Sequence, residues 1–201
     1  MDVVDLMTTD VIAVAPDTAI RDAARLMFRN RVSGLPVVDP MDRLQGIITE
    51  ADFLRLEVAR EEGSGTPYER VADVMTKGVV TVDRDIPVHE VAKIMCVQDI
   101  KRVPVVDDEG RVVGIISRSD IVALFTRPDE VIEDEIREDL IRRVLFVDPD
   151  ELDVMVRNGI VTFIGEIGTR TEARLLEELA RRLDGVIRVE SDLTWRIDDT
   201  G

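Results

Sequence analysis

The sequence predicts an α+β fold in which two βαββα units pack as one module and a smaller αββαβ domain follows. Two observations carry this. Three separated blocks recur at a constant offset of 68 residues, and an Asn-Gly dipeptide further on divides two alternating apolar segments. Met7-Thr8 returns as Met75-Thr76, and Leu35-Pro36-Val37-Val38-Asp39 as Val103-Pro104-Val105-Val106-Asp107. Gly46-Ile47-Ile48-Thr49 returns as Gly114-Ile115-Ile116-Ser117, and Asp52 as Asp120. The boundaries read as 1–60 for the first unit, 61–70 for a linker, 71–126 for the second unit and 127–201 for the C-terminal domain.

Each unit is read from its punctuation. Val11 to Val14 is a short apolar strand ended by Pro16, and Asp17 stands where an N-cap belongs. Ile20, Ala23, Ala24 and Met27 fall on one helical face, as do Val88, Val91, Ala92 and Met95 after the equivalent cap, Asp85. Leu35 to Val38 and Leu44 to Ile48 are strands joined by a polar turn. A helix opens after Thr49 and again after Ser117. Units this small bury too little surface alone, which predicts an intimate pair. Glu61-Glu62-Gly63-Ser64-Gly65-Thr66-Pro67 is the linker by composition.

Composition bounds the function. The chain has 201 residues, 45% hydrophobic and 3% aromatic, with a formal net charge of −16. Strong acidity and scarce aromatics argue against a nucleic-acid partner, which needs a basic footprint or stacking platforms. Membrane attachment is not expected on the same ground. No signal-peptide pattern opens the sequence and no apolar run is long enough to span a bilayer, so the protein reads as cytoplasmic. The single Cys96 beside Met95 reads as a small buried hydrophobe, and with His89 it can build neither a disulfide nor a zinc site. No nucleophile–base pair stands out, so the protein is not expected to be an enzyme and no catalytic cofactor or metal is implied.

The chemistry concentrates after the third strand of each unit, in Thr49-x-x-Asp52 and Ser117-x-x-Asp120. As local structure this is a capping-box variant. As a site, a helix start suits phosphate, and a carboxylate offers two acceptors to vicinal ribose hydroxyls. The copies differ just before the strand proline: Ser33-Gly34 in the first, Lys101-Arg102 in the second, with Arg118 also in the second.

These blocks resemble the cystathionine-beta-synthase-type (CBS) domain over residues 3 to 125. The resemblance implies two clefts binding AMP, ADP, ATP, S-adenosylmethionine or related adenosine compounds, with Mg²⁺ as an optional companion. It implies that Asp52 and Asp120 hold ribose hydroxyls and that Thr49 and Ser117 contact phosphate or ribose. Thr8 with Ile12, and Thr76 with Val80, would frame adenine, and Lys101 and Arg102 would contact phosphate. It also implies homodimers formed through the repeat helices. A ligand-dependent change in their packing would then be read by the C-terminal domain or by a protein partner. The rival reading is a scaffold held for dimerisation, with no ligand.

The last third reads as a helix (Val131 to Leu145), strands Leu152 to Arg157 and Ile160 to Gly165 around Asn158-Gly159, a helix (Thr171 to Leu183) and a final strand (Ile187 to Trp195). Leu175, Leu176, Leu179 and Leu183 form the helix stripe. The stretch from Val154 to Gly165 with Gly185-Val186 resembles the BON domain, a family credited with binding phospholipid or other hydrophobic surfaces. Many members of that family are exported, and no export pattern opens this sequence, so a packing or partner-binding role is expected at least as much as a membrane one.

Overall fold

The computed structural model describes residues 1–61 and 68–200 and divides into two units, Met1–Asp120 and Ile121–Gly201. Most of the predicted linker, Glu62 to Pro67, lies outside the described residues.

In the first unit, helix α1 (Val3–Leu6) leads to α2 (Ile20–Asn30), the hairpin β1 (Gly34–Val38) and β2 (Leu44–Thr49), and α3 (Glu50–Glu61). The order repeats as α4 (Val71–Val74), α5 (Val88–Val97), β3 (Arg102–Val106), β4 (Val112–Ser117) and α6 (Arg118–Leu124), whose last four residues belong to the second unit. Each hairpin is antiparallel and in the same register, with Gly34 opposite Thr49 and Arg102 opposite Ser117.

The predicted first strand of each copy is reduced to one bridging residue. Val14 pairs with Val37, and Val82 with Val105, both in parallel. Val14 N–H donates to the Pro36 carbonyl and its own carbonyl accepts from Val38. Extending that ladder to Ile12 would need a donor at Pro36, which has no N–H. Pro104 imposes the same limit on Val80. Both prolines therefore release the segment ahead of the bridge from the sheet.

The caps also differ from expectation. Helix α2 begins after Ala19 and α5 after Pro87, neither with a side-chain cap, so Asp17 and Asp85 do not cap them. The lead-in to the other copy takes over that role. Ile20 N–H donates to the Glu69 carbonyl at 3.0 Å and Val88 N–H to the Met1 carbonyl at 3.3 Å. Orphan donors at a helix start need only an acceptor, and main chain serves as well as carboxylate.

The same exchange makes the two copies one body. Thr8 bridges to Ile115 of β4, and Thr76 to Ile47 of β2, so each copy's lead-in joins the other copy's sheet. Val71 is fully buried in the core of the first copy with Ala23, Leu35, Val37 and Ile48. The recurring Met-Thr and Gly-x-x-[ST] blocks are two sides of this joint. A Cβ on Gly46 would lie 2.8 Å from both Met75 Sδ and the Thr76 carbonyl oxygen, and one on Gly114 would overlap the Met7 thioether. Gly46→Ala is expected to cost about 1–3 kcal/mol by overpacking against main chain. Gly114→Ala should cost less, because Met7 can swing aside; urea unfolding of the two variants reads the difference.

Along α5, Met95 is buried, and Cys96, one residue further round the helix, is exposed rather than buried as the sequence suggested.

The second unit is an αββαβ sandwich of one sheet and two helices. Helix α7 (Asp129–Glu135) runs on in π-helical hydrogen bonding from Ile136 to Val144. Strands β5 (Leu152–Arg157) and β6 (Ile160–Thr169) form a hairpin, α8 (Arg170–Ala180) follows, and β7 (Arg188–Ile197) pairs in parallel with β6. Asn158 and Gly159 both have positive φ, 51° and 71°, as a tight hairpin turn requires. Asp129 holds the turn from the helix start, its carboxylate accepting from Asn158 N–H at 2.6 Å and Gly159 N–H at 2.9 Å. Thr169 and Glu172 make a reciprocal capping box for α8. The buried stripe of α8 is Ala173, Leu176 and Ala180, with Leu179 and Leu183 flanking it; Leu175 lies off that face. Phe163, fully buried, sits at the heart of this core.

Candidate functional site

Two clefts open where the exchanged lead-ins meet the ends of β2 and β4. Each takes one wall from a lead-in and the other from the opposite copy's strand end, so neither copy could form one alone.

Cleft one, of about 440 Å³, brings together Thr8, Ile12, Lys101, Arg102, Ser117 and Asp120, six of the ten residues singled out by sequence. Its size lies within the range of small-molecule sites. Asp10, Arg31, Arg118 and Ser119 also line it. Asp120 accepts from Ser117 N–H at 2.7 Å and from Ser117 Oγ at 2.6 Å, both on Oδ2. No hydrogen bond is made to its Oδ1 among the described residues, so the carboxylate keeps an acceptor for a further donor. Arg118 is held in place by the Ile100 carbonyl, the Met95 carbonyl and Asp99.

Cleft two, of about 330 Å³, brings together Thr49, Thr76, Val80, Lys101 and Arg102. Asp52, which sequence placed here as the counterpart of Asp120, is not among its lining residues. Asp52 is 2% exposed, with Oδ2 accepting from Thr49 N–H at 2.8 Å and Thr49 Oγ1 at 3.0 Å. Its Oδ1 accepts from Arg55 Nη1 at 2.8 Å, and Arg55 itself lines the cleft. In both copies the hydroxyl donates to the carboxylate, so only half of a capping box forms.

The freed segments explain the apolar walls. Ile12 and Val80 lie in the stretches that Pro36 and Pro104 keep out of the ladder, and each faces a cleft. Hairpin register explains the polar ones, since pairing Arg102 with Ser117 sets a cation beside the Ser-x-x-Asp turn. Arg102 donates from Nη2 to Ser33 Oγ at 2.5 Å. Burial pushes its guanidinium below the ordinary arginine value, with Glu50 opposing. Sequence reasoning missed Arg31 and Arg55. Arg31 carried no signal beyond its position at a helix end, but Arg55 stands three residues after Asp52, a spacing at which opposite charges meet on a helix.

The CBS-domain model matches residues 3–59 and 71–127. This chain belongs to the CBS-domain family. The BON-domain model matches residues 128–197, so the CBS pair is followed by a BON domain. The CBS pair of protein MJ0100, solved with 5′-methylthioadenosine and S-adenosyl-L-methionine, is similar at 34% identity and a TM-score of 0.56. The match covers 62% of this chain and 99% of that one. CBSX2 in complex with AMP is similar at 31% identity and a TM-score of 0.56, over 61% of this chain and 93% of that one. Inosine-5′-monophosphate dehydrogenase of Methanocaldococcus jannaschii is 39% identical over 118 residues, 59% of this chain but 22% of the relative's length. This chain therefore spans about a fifth of that enzyme. No described helix is long and apolar enough to cross a membrane.

Proposed function

We propose that this CBS–BON protein is a non-catalytic regulator whose CBS pair binds an adenosine-type nucleotide, with cleft one as the principal site. The observation that carries the reading is the make-up of cleft one. A carboxylate with an uncommitted oxygen, an apolar wall at Ile12 and a cluster of cations stand within one small-molecule-sized cavity. Asp120 would accept from the ribose hydroxyls, Thr8 and Ile12 would flank adenine, and Lys101, Arg102 and Ser117 would meet phosphate. In cleft two, Thr76 and Val80 would flank adenine and Thr49 would meet ribose or phosphate. Asp52 would take the ribose only after Arg55 releases Oδ1, which makes this the weaker site.

The relatives solved with AMP and with S-adenosyl-L-methionine support the adenosine class. Mg²⁺ would enter only with a polyphosphate, since no three His, Cys, Asp or Glu side chains gather to hold a metal among the described residues. Homodimer formation through the repeat helices is part of the proposal, supported by Phe28 on α2 and Leu54 on α3, exposed at 87% and 69% beside an apolar groove. Monomers in light scattering would remove that part. Ligand state would then be read by the BON domain or a protein target, in the cytoplasm.

The test is a thermal-melt panel of AMP, ATP, S-adenosylmethionine, NAD and cyclic dinucleotides. A ligand at a hundred times its dissociation constant adds about 2.7 kcal/mol of stability. A panel in which no adenosine compound raises the transition leaves the scaffold reading in its place.

A further inference from the structure

Positions 34 and 102 are equivalents under the repeat, and they touch: a Cβ on Gly34 would overlap Arg102 Nη1. Equivalent residues in contact lie where the two copies meet, so an arginine from each copy would collide there. Glycine in the first copy lets a single guanidinium cross the junction, and Arg102 is among the residues lining both clefts. Its Nη2 is taken by Ser33, but Nη1 is buried with no hydrogen-bond partner among the described residues. A buried, unmatched donor on a cation is a group awaiting an acceptor. The other buried or tethered cations do not compete for this role. Arg55 is tied to Asp52 and serves cleft two alone, and Arg118 is tied to Asp99 and main chain and serves cleft one alone. Lys101 lines both clefts, but it is exposed, and water and salt screen its charge.

We infer that the two clefts share Arg102 as their anion-binding group and are negatively coupled through it, so that a phosphate held in one weakens phosphate binding in the other. The inference rests on the nucleotide-binding reading and concerns phosphorylated ligands only. An uncharged nucleoside makes no claim on the guanidinium and fills the clefts independently.

Calorimetric titration of the full chain tests this with AMP and adenosine as probes. Thr8→Trp fills cleft one and Thr76→Trp fills cleft two. Both side chains are exposed, and their main-chain bonds to the facing strand are kept. For independent sites, the product of the two wild-type association constants equals the product of the two single-cleft constants. Coupling is expected to lower the wild-type product for AMP by at least about fivefold. Adenosine should give equal products, and Arg102→Gln in all three backgrounds should restore equality for AMP. Ile12→Trp and Val80→Trp fill the same clefts should either first variant not fold. Equal AMP products in the Arg102 protein, with both clefts binding, overturn the coupling and leave the nucleotide reading intact. No AMP binding in the wild type overturns both.

Discussion

Asp52→Ala is expected to destabilise the first unit by about 2 kcal/mol, while Asp120→Ala costs about half that and weakens binding to cleft one. The two residues are equivalents in sequence and differ in surroundings. Asp52 is buried, and its loss strands the Thr49 N–H and hydroxyl that it accepts from. Its pair with Arg55 adds little, since the arginine side chain is 73% exposed. Asp120 makes the matching bonds to Ser117, but it lines its cleft and keeps one oxygen uncommitted. Losing that oxygen should weaken nucleotide binding in cleft one by roughly 10- to 100-fold, the value of a charged hydrogen bond. Urea unfolding followed by circular dichroism reads the first effect, and calorimetric titration reads the second. Equal stability losses with equal binding losses would mean that the two sites are interchangeable.

Phe163→Ala is expected to cost the second unit about 3–5 kcal/mol, the largest stability effect of any substitution considered. The ring is fully buried within a core contributed by β5, β6, β7, α7 and its π-helical extension, and α8. A truncation here leaves a cavity that a three-stranded sheet has little means to close. Trp195, the only tryptophan, stands on β7 with Arg170 5.3 Å above its ring, so its fluorescence reports this unit alone. The fluorescence transition in urea should move to much lower denaturant or vanish. An unchanged midpoint would mean that the packing around Phe163 is not what holds the sheet.

The repeat made most of the fold legible, because a constant offset over three blocks identifies equivalent positions without any knowledge of their structure. It could not reveal that the blocks face one another across copies. Met7 against Gly114 and Met75 against Gly46 are contacts between distant segments, to which local periodicity is blind. The Asp17 and Asp85 caps failed for the same reason, since the acceptors that displaced them come from the other copy's lead-in. The reduced first strand was legible in principle: Pro36 and Pro104 announce a missing donor, although which strand would miss it depended on the tertiary pairing. Cys96 was misplaced by a single step round a helix whose buried face already ended at Met95. In the clefts, the residue types were readable and the difference between Asp52 and Asp120 was not, because burial is a property of the assembled pair.

A crystal of the full chain grown with AMP measures the central claim most directly, through the distance from the ribose hydroxyls to Asp120 Oδ1. A cavity built jointly by both copies to grip a nucleoside predicts that separation at about 2.5–3.0 Å, with the phosphate toward Arg102. AMP lodged elsewhere on the chain, or a cleft at Asp120 that stays empty at saturating nucleotide, would contradict it.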